Sequence, residues 1–171
     1  MHIKEEKAQR HTLSIMVDNE PGILARIAGL FTARGYNIES LTVADISSDL
    51  SLSRITIVTS GSPHVIEQII AQLDRLVPVH KVADLTAAGP HVERELALVK
   101  VAGTGDHRIE AMRLAEIYRA RVLDATTGSF VFELTGSSAK INTFVDLMRE
   151  VGLVEVARTG VVAISRGREA I

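Results

Sequence analysis

One pattern constrains this chain more than any other. Between residues 12 and 85 an alternating run is followed by a helix-period run, two more alternating runs, a second helix-period run and a last extended run. Residues 12–17 carry Leu13, Ile15 and Val17 on one side, the period of a strand lying on a core. Residues 21–34 place Ile23, Leu24, Ile27, Leu30 and Phe31 on one helical face, with Ala28 and Gly29 small enough for close packing. Residues 37–45 and 51–60 alternate again across an expected turn at Ser47-Ser48-Asp49. Ser62-Pro63 opens a second helix striped by Val65, Ile66, Ile69, Ile70 and Leu73, and residues 78–85 read as a fourth strand. The order β-α-β-β-α-β is the split βαβ plan, four antiparallel strands with both helices on one face. The strands at 13–17 and 52–58 hold more apolar residues than one face needs. The second face or the sheet edge therefore needs cover, from another copy of the domain or from the rest of the chain.

The plan then recurs. Residues 86–94, with Ala87-Ala88-Gly89-Pro90, read as a linker. A strand at 95–102 leads to the turn Gly103-Thr104-Gly105-Asp106, with Asp106 as the expected N-cap of a helix over 107–119. Strands at 121–126 and 130–135 are joined by the hairpin signal Thr127-Gly128-Ser129. Ser137-Ser138 opens a helix with Ile141, Phe144, Val145 and Met148 on one face, and a strand follows at 154–157. A short apolar segment at 160–165 precedes a polar end. The expected architecture is α+β: two ferredoxin-like βαββαβ domains in tandem, residues 11–85 and 95–171, behind a loosely ordered polar tail of residues 1–10. The halves agree in plan and length rather than residue by residue.

Composition removes several function classes. Hydrophobic residues make up 46% of the 171 positions, but aromatics only 4% and Trp none, so the core must be largely aliphatic. A net charge of −2 without a basic run argues against nucleic acid as the partner. The absence of cysteine excludes disulfides and thiolate chemistry. No apolar stretch reaches the roughly 20 residues of a membrane span, and the charged amino terminus lacks a signal-peptide core. A cytoplasmic protein is expected. His2, His11, His64, His80, His91 and His107 are scattered without metal-ligand spacing, so no metal site is expected. Gly103-Thr104-Gly105 lacks the third glycine and the Lys-Ser/Thr of a phosphate loop. No serine sits in a Gly-x-Ser-x-Gly elbow. Arg158, Arg166 and Arg168 suit an acidic partner surface and plain solvation equally. No set of residues assembles a catalytic centre.

One small-molecule site has a physical argument. Asp18-Asn19-Glu20-Pro21-Gly22-Ile23-Leu24 joins the first strand to the first helix. Pro21 pushes Glu20 out of the α region, so the helix is expected to begin at Pro21. Gly22 bares the backbone, and the first helical amides, at the positive end of the dipole, suit a small carboxylate. Asn37, just past Gly35, is placed to bring a polar side chain back toward the same point. Two readings stand on the residues alone: a capped helix and a turn, or a pocket for a free amino acid held by amides and by the side chains of Asn19 and Asn37.

The residues also carry a resemblance. HTLSIMVDNEPGIL (residues 11–24) looks like the opening of an ACT domain, an amino-acid-sensing module. GLFTARGYNIESLTV (29–43), LSRITI (52–57), HVEREL (91–96) and VEVARTGVVAISRG (154–167) resemble the regulatory small subunit of acetolactate synthase, also called acetohydroxyacid synthase. The blocks follow that family's order over nearly the whole chain and thin out between residues 103 and 150. The resemblance implies a non-catalytic subunit with no cofactor of its own. Its partner is a catalytic large subunit that uses thiamine diphosphate, Mg and FAD to condense 2-oxoacids on the way to branched-chain amino acids. It further implies activation of that subunit and feedback inhibition by a branched-chain amino acid, usually valine, bound between ACT domains paired in a homodimer. The effector residues it implies are Asn19, Gly22, Ile23 and Leu24 from one chain and Asn37 and Ile38 from the other. The competing reading is a stand-alone ACT sensor acting on another enzyme or on transcription.

Overall fold

The computed structural model describes residues 7–47 and 49–171. The elements, in chain order, are β1 (Gln9–Asp18), α1 (Ile23–Ala33), β2 (Ser40–Ser47), β3 (Leu52–Gly61), α2 (Pro63–Leu73), β4 (Val79–Asp84), α3 (Leu85–Ala88), β5 (His91–Ala102), α4 (Asp106–Tyr118), β6 (Arg121–Ala125), β7 (Ser129–Gly136), α5 (Ser138–Val151), β8 (Leu153–Arg158) and β9 (Val162–Ser165). The chain divides into two compact units. One comprises the residues up to Val92 together with Val161–Ile171, the other Glu93–Gly160.

The first unit is an antiparallel sheet in the order β2-β3-β1-β4. β3 pairs Ile57 with Leu13 and Ile55 with Ile15 on one side, and Ile57 with Leu41 and Ile55 with Val43 on the other. Because side chains alternate along a strand, this register gathers Leu13, Ile15, Val17, Ile55 and Ile57 on one face. α1 and α2 bury Ile23, Ile27, Phe31, Ile66, Ile69 and Leu73 against it. α2 starts as its sequence dictates: Ser62 accepts from the Val65 amide and Pro63 occupies the first turn. The opposite face carries Thr12, Ser14, Thr56 and Val58, all buried. Cover comes in part from the C-terminal segment, whose Val161 and Ala163 pack with Val58 and Leu85.

The second unit repeats the plan in the order β6-β7-β5-β8. Ala97, Val99 and Val101 of β5 and Phe130, Phe132 and Leu134 of β7 face Leu114 of α4 and Ile141, Phe144 and Met148 of α5. Three of the chain's four phenylalanines gather here; the first unit's core keeps Phe31 and is otherwise aliphatic. α5 ends at Gly152 in the left-handed region, φ 118°. A Cβ there would stand 2.0 Å from the Ala102 carbonyl oxygen, so only glycine fits.

Several expectations are corrected. β1 begins at Gln9, because Gln9 and Arg10 already pair with Gly61 and Ser60; of the expected polar tail, residues 1–6 lie outside the described residues, as does Ser48 of the expected turn. β2 begins at Ser40 rather than at residue 37. Residues 86–94 are not a linker. Asp84 accepts from the amides of Thr86 and Ala87 at 3.0 and 3.1 Å and caps the start of α3, Leu85 is buried, and β5 starts at His91. Residues 161–171 belong with the first unit, not with the end of the second. The chain turns at Gly160 (φ 85°), and Val161 and Ala163 find their apolar partners in the first unit, Val58 of β3 and Leu85 of α3. In α4 the cap position is Gly105 and Asp106 lies inside the first turn.

Candidate effector site

The first helix starts two residues later than its proline suggests. Gly22 is the N-cap at φ 84° and ψ −3°, and α1 begins at Ile23. A side chain is strained at that φ, so glycine is what lets the chain turn through Glu20-Pro21 into the helix. The Ile23 amide donates to the Glu20 carbonyl at 3.3 Å and the Arg26 amide to the Gly22 carbonyl at 3.0 Å. Among the described residues, the amides of Gly22, Leu24 and Ala25 meet no acceptor, and no side chain caps the helix. Orphan amides of this kind sit at the positive end of the dipole and suit a carboxylate.

The turn itself is held firmly. The Asp18 amide donates to the Pro78 carbonyl at 2.9 Å and the Asn19 amide to the Ser51 carbonyl at 2.6 Å. Ser51 presents that carbonyl from the β2–β3 hairpin with φ at 50°. Nε2 of His80 lies 2.6 Å from Oδ1 of Asp18, at the base of the turn. Neither Ser51 nor His80 was legible as a site residue, since both reach the turn across strand pairings that no local motif marks.

The other expected site residues lie in the stretch before β2. Asn37 is exposed, and its carbonyl accepts from the hydroxyl of Thr59 at 2.7 Å. Thr59 is fully buried. Ile38 is half-buried against the first core.

The structure places the six expected residues in two groups that do not meet within one chain. Asn19, Gly22 and Leu24 surround the exposed helix start; Ile23 turns its side chain into the core. Thr59, which fixes Asn37, pairs with His11, whereas the hairpin end that fixes Asn19 is level with Asp18. Seven steps of β1, from His11 to Asp18, separate the two levels, roughly 23 Å at ~3.3 Å per residue. The expectation that Asn37 returns to the helix start of its own chain is therefore wrong. β2 is parallel to β1, since both pair antiparallel with β3, so its start lies at the far end of the sheet.

β2 is also an edge strand. Exposed apolar side chains line its neighbourhood: Val43, Ile46, Leu50 and Leu24 of α1. If a second copy pairs antiparallel along this edge, the start of its β2 comes to the level of the first copy's helix start. Among the described residues no group of three or more His, Cys, Asp or Glu could hold a metal ion. No described helix is long and apolar enough to cross a membrane.

The first βαββαβ unit belongs to a class, the ACT domains. Residues 13–81 match the ACT domain of acetohydroxyacid synthase small subunits, and residues 94–167 match the small subunit of acetolactate synthase. A probable acetolactate synthase small subunit of Archaeoglobus fulgidus is 48% identical over 160 residues, 94% of this chain and 99% of that protein. The small subunit of acetolactate synthase isozyme 3 of Escherichia coli is 48% identical over 159 residues, 92% and 96% of the two chains. The crystal structure of the acetolactate synthase small subunit of Thermotoga maritima superposes with a TM-score of 0.83 at 38% identity, over 94% and 99% of the chains. The chain belongs to the family of acetolactate synthase small subunits.

Proposed function

We propose that this protein is the regulatory subunit of an acetolactate synthase. It activates a catalytic large subunit and makes that enzyme sensitive to a branched-chain amino acid, valine, bound between two ACT domains. The chemistry, with thiamine diphosphate, Mg and FAD, resides in the partner chain. The observation that carries this reading is the separation of the half-sites. Each chain holds bare amides at one end of its sheet and Asn37 at the other, on either side of an unpaired edge. Antiparallel pairing of two β2 edges joins each helix start to the Asn37 and Ile38 of a second copy. The ligand carboxylate then meets the amides of Gly22 and Leu24. Its ammonium meets the side chains of Asn19 and Asn37, and its aliphatic side chain meets Leu24 and Ile38.

Inhibition requires that valine bind one arrangement of the pair better than another. A coupling of about 1–3 kcal/mol gives a useful response. The test is reconstitution: the catalytic chain is titrated with this protein and acetolactate formation is followed with and without valine. A rise on mixing and a fall with valine are expected. No change of rate on mixing would sink the subunit reading and leave a stand-alone amino-acid sensor. Asn37→Ala is expected to remove the valine response, read as the loss of calorimetric binding and of inhibition together. Loss of the activation itself would instead assign Asn37 to folding.

A further inference from the structure

The strand that begins at the second half-site grips the segment leading out of the second unit. Ser40 and Thr42 stand two residues apart on β2, so their side chains share a face. That face is opposite the helices, because Leu41 and Val43 pair with the helix-facing Ile57 and Ile55. The Val161 amide donates to Oγ of Ser40 at 2.8 Å. Oγ1 of Thr42 donates to the Val161 carbonyl at 2.9 Å. Both main-chain polar groups of one residue are thus held by two hydroxyls of one strand. Val161 is 2% exposed, so its polar groups cannot exchange these partners for water without cost. Its side chain is locked as well, packed with Val58, Leu85 and Ala163. Val161 follows Gly160, the last residue of the second unit, and Ser40 comes two residues after Ile38.

We propose that Ser40 and Thr42 form a hydroxyl clamp that couples effector occupancy at the start of β2 to Val161, and through the Gly160–Val161 bond to the second unit. The proposal rests on the effector reading above and adds how occupancy leaves the site. A shift of the β2 start on ligand binding must carry Val161 with it or break two partly buried hydrogen bonds. Gly160, at φ 85°, is the joint that such a pull would turn.

The test is the double variant Ser40→Ala/Thr42→Val, which removes both hydroxyls and nearly preserves shape. Valine binding is measured by calorimetry, activation and inhibition by reconstitution with the catalytic chain, and amide exchange across residues 160–163 with and without valine. Valine is expected to slow exchange at Val161 in the unaltered protein. The double variant is expected to bind valine and activate its partner, yet to need at least about tenfold more valine for half-inhibition. Its exchange at residues 160–163 no longer responds to valine. Ser40→Thr/Thr42→Ser keeps both hydroxyls and is expected to restore the coupling, which a mere loss of packing would not predict. Unaltered inhibition in the double variant overturns the clamp. If the double variant does not fold, the unaltered protein decides: saturating valine with no change at Val161 overturns it equally. Absence of any valine binding to the unaltered protein would overturn the effector reading itself, and the clamp with it.

Discussion

The two units share a plan and differ where the plan starts its first helix. α1 and α4 both begin after a glycine without a side-chain cap. The first turn of α4 carries Asp106, a carboxylate of its own at the positive end of the dipole. The first turn of α1 is Ile23-Leu24-Ala25-Arg26 and carries none. The second unit therefore sets a carboxylate of its own against the charge of its helix start, and the first does not.

The contrast extends through both bodies. The first unit's core is aliphatic around Phe31. The second packs Phe130, Phe132 and Phe144 together, the first two tilted and the last edge-on, with ring centroids 5.2 and 6.2 Å apart, and sets the Arg108 guanidinium 3.9 Å over Phe130. It also buries Glu95. Arg158 donates to both oxygens of that carboxylate at 2.6 and 2.8 Å, and Ser138 donates to it at 2.8 Å. Hydrogen bonding to Glu95 pushes the Arg158 pKa further up. The first unit's second face takes the C-terminal segment, while that of the second holds a groove of about 220 Å³ lined by Leu98, Lys100, Val131, Glu155 and Ala157. The first unit takes cover from the C-terminal segment and leaves its first helix start without a carboxylate; the second fills its core with aromatic rings and carries a carboxylate in the first turn of α4.

The largest test of that division is Phe144→Ala. Phe144 is fully buried between the rings of Phe132 and Tyr118. Its removal is expected to cost about 4 kcal/mol, read by chemical denaturation, with calorimetric valine binding retained. Lost binding in a still-folded variant would deny that the second core is independent of the effector site. Arg158→Met comes next. It takes the guanidinium from a carboxylate only 4% exposed and is expected to cost about 3 kcal/mol. A change under about 0.5 kcal/mol would make the pair a surface bridge of the ordinary kind and weaken the contrast.

What was legible in the sequence follows range. Period gave α1, α2, α4 and α5 and most strands, because Ile27 or Ile66 must face a core wherever the sheet lies. The residues that bind the elements together were not legible. Thr59 under Asn37, Ser51 against Asn19, and Ser40 with Thr42 on Val161 are ordinary strand and turn residues until the register sets them opposite a partner. The misplacement of Asn37 has the same origin. A helix that returns beside its strand brings the chain back to the strand's beginning, and a motif read linearly does not carry that distance. Residues 161–171 were misassigned because they follow the second unit in sequence, although their apolar partners, Val58 and Leu85, belong to the first.

The smallest expected effect on stability sharpens the comparison most. Ala25→Asp gives α1 what α4 already has, a carboxylate in the first turn. Ala25 is exposed and its amide meets no acceptor among the described residues, so the new side chain fits without crowding the core. Stability is expected to rise by about 0.5 kcal/mol, through the interaction of the charge with the helix dipole. Valine affinity is expected to fall, because the same partial charge is now claimed by the protein and a second carboxylate is repelled from it. The two changes have opposite signs, which general damage to the fold cannot produce. Thermal denaturation and calorimetric titration of the same sample read both. A variant that grows more stable and binds valine as before would show that the ligand carboxylate rests somewhere other than the α1 start, and the difference between the two helix starts would then be one of capping alone.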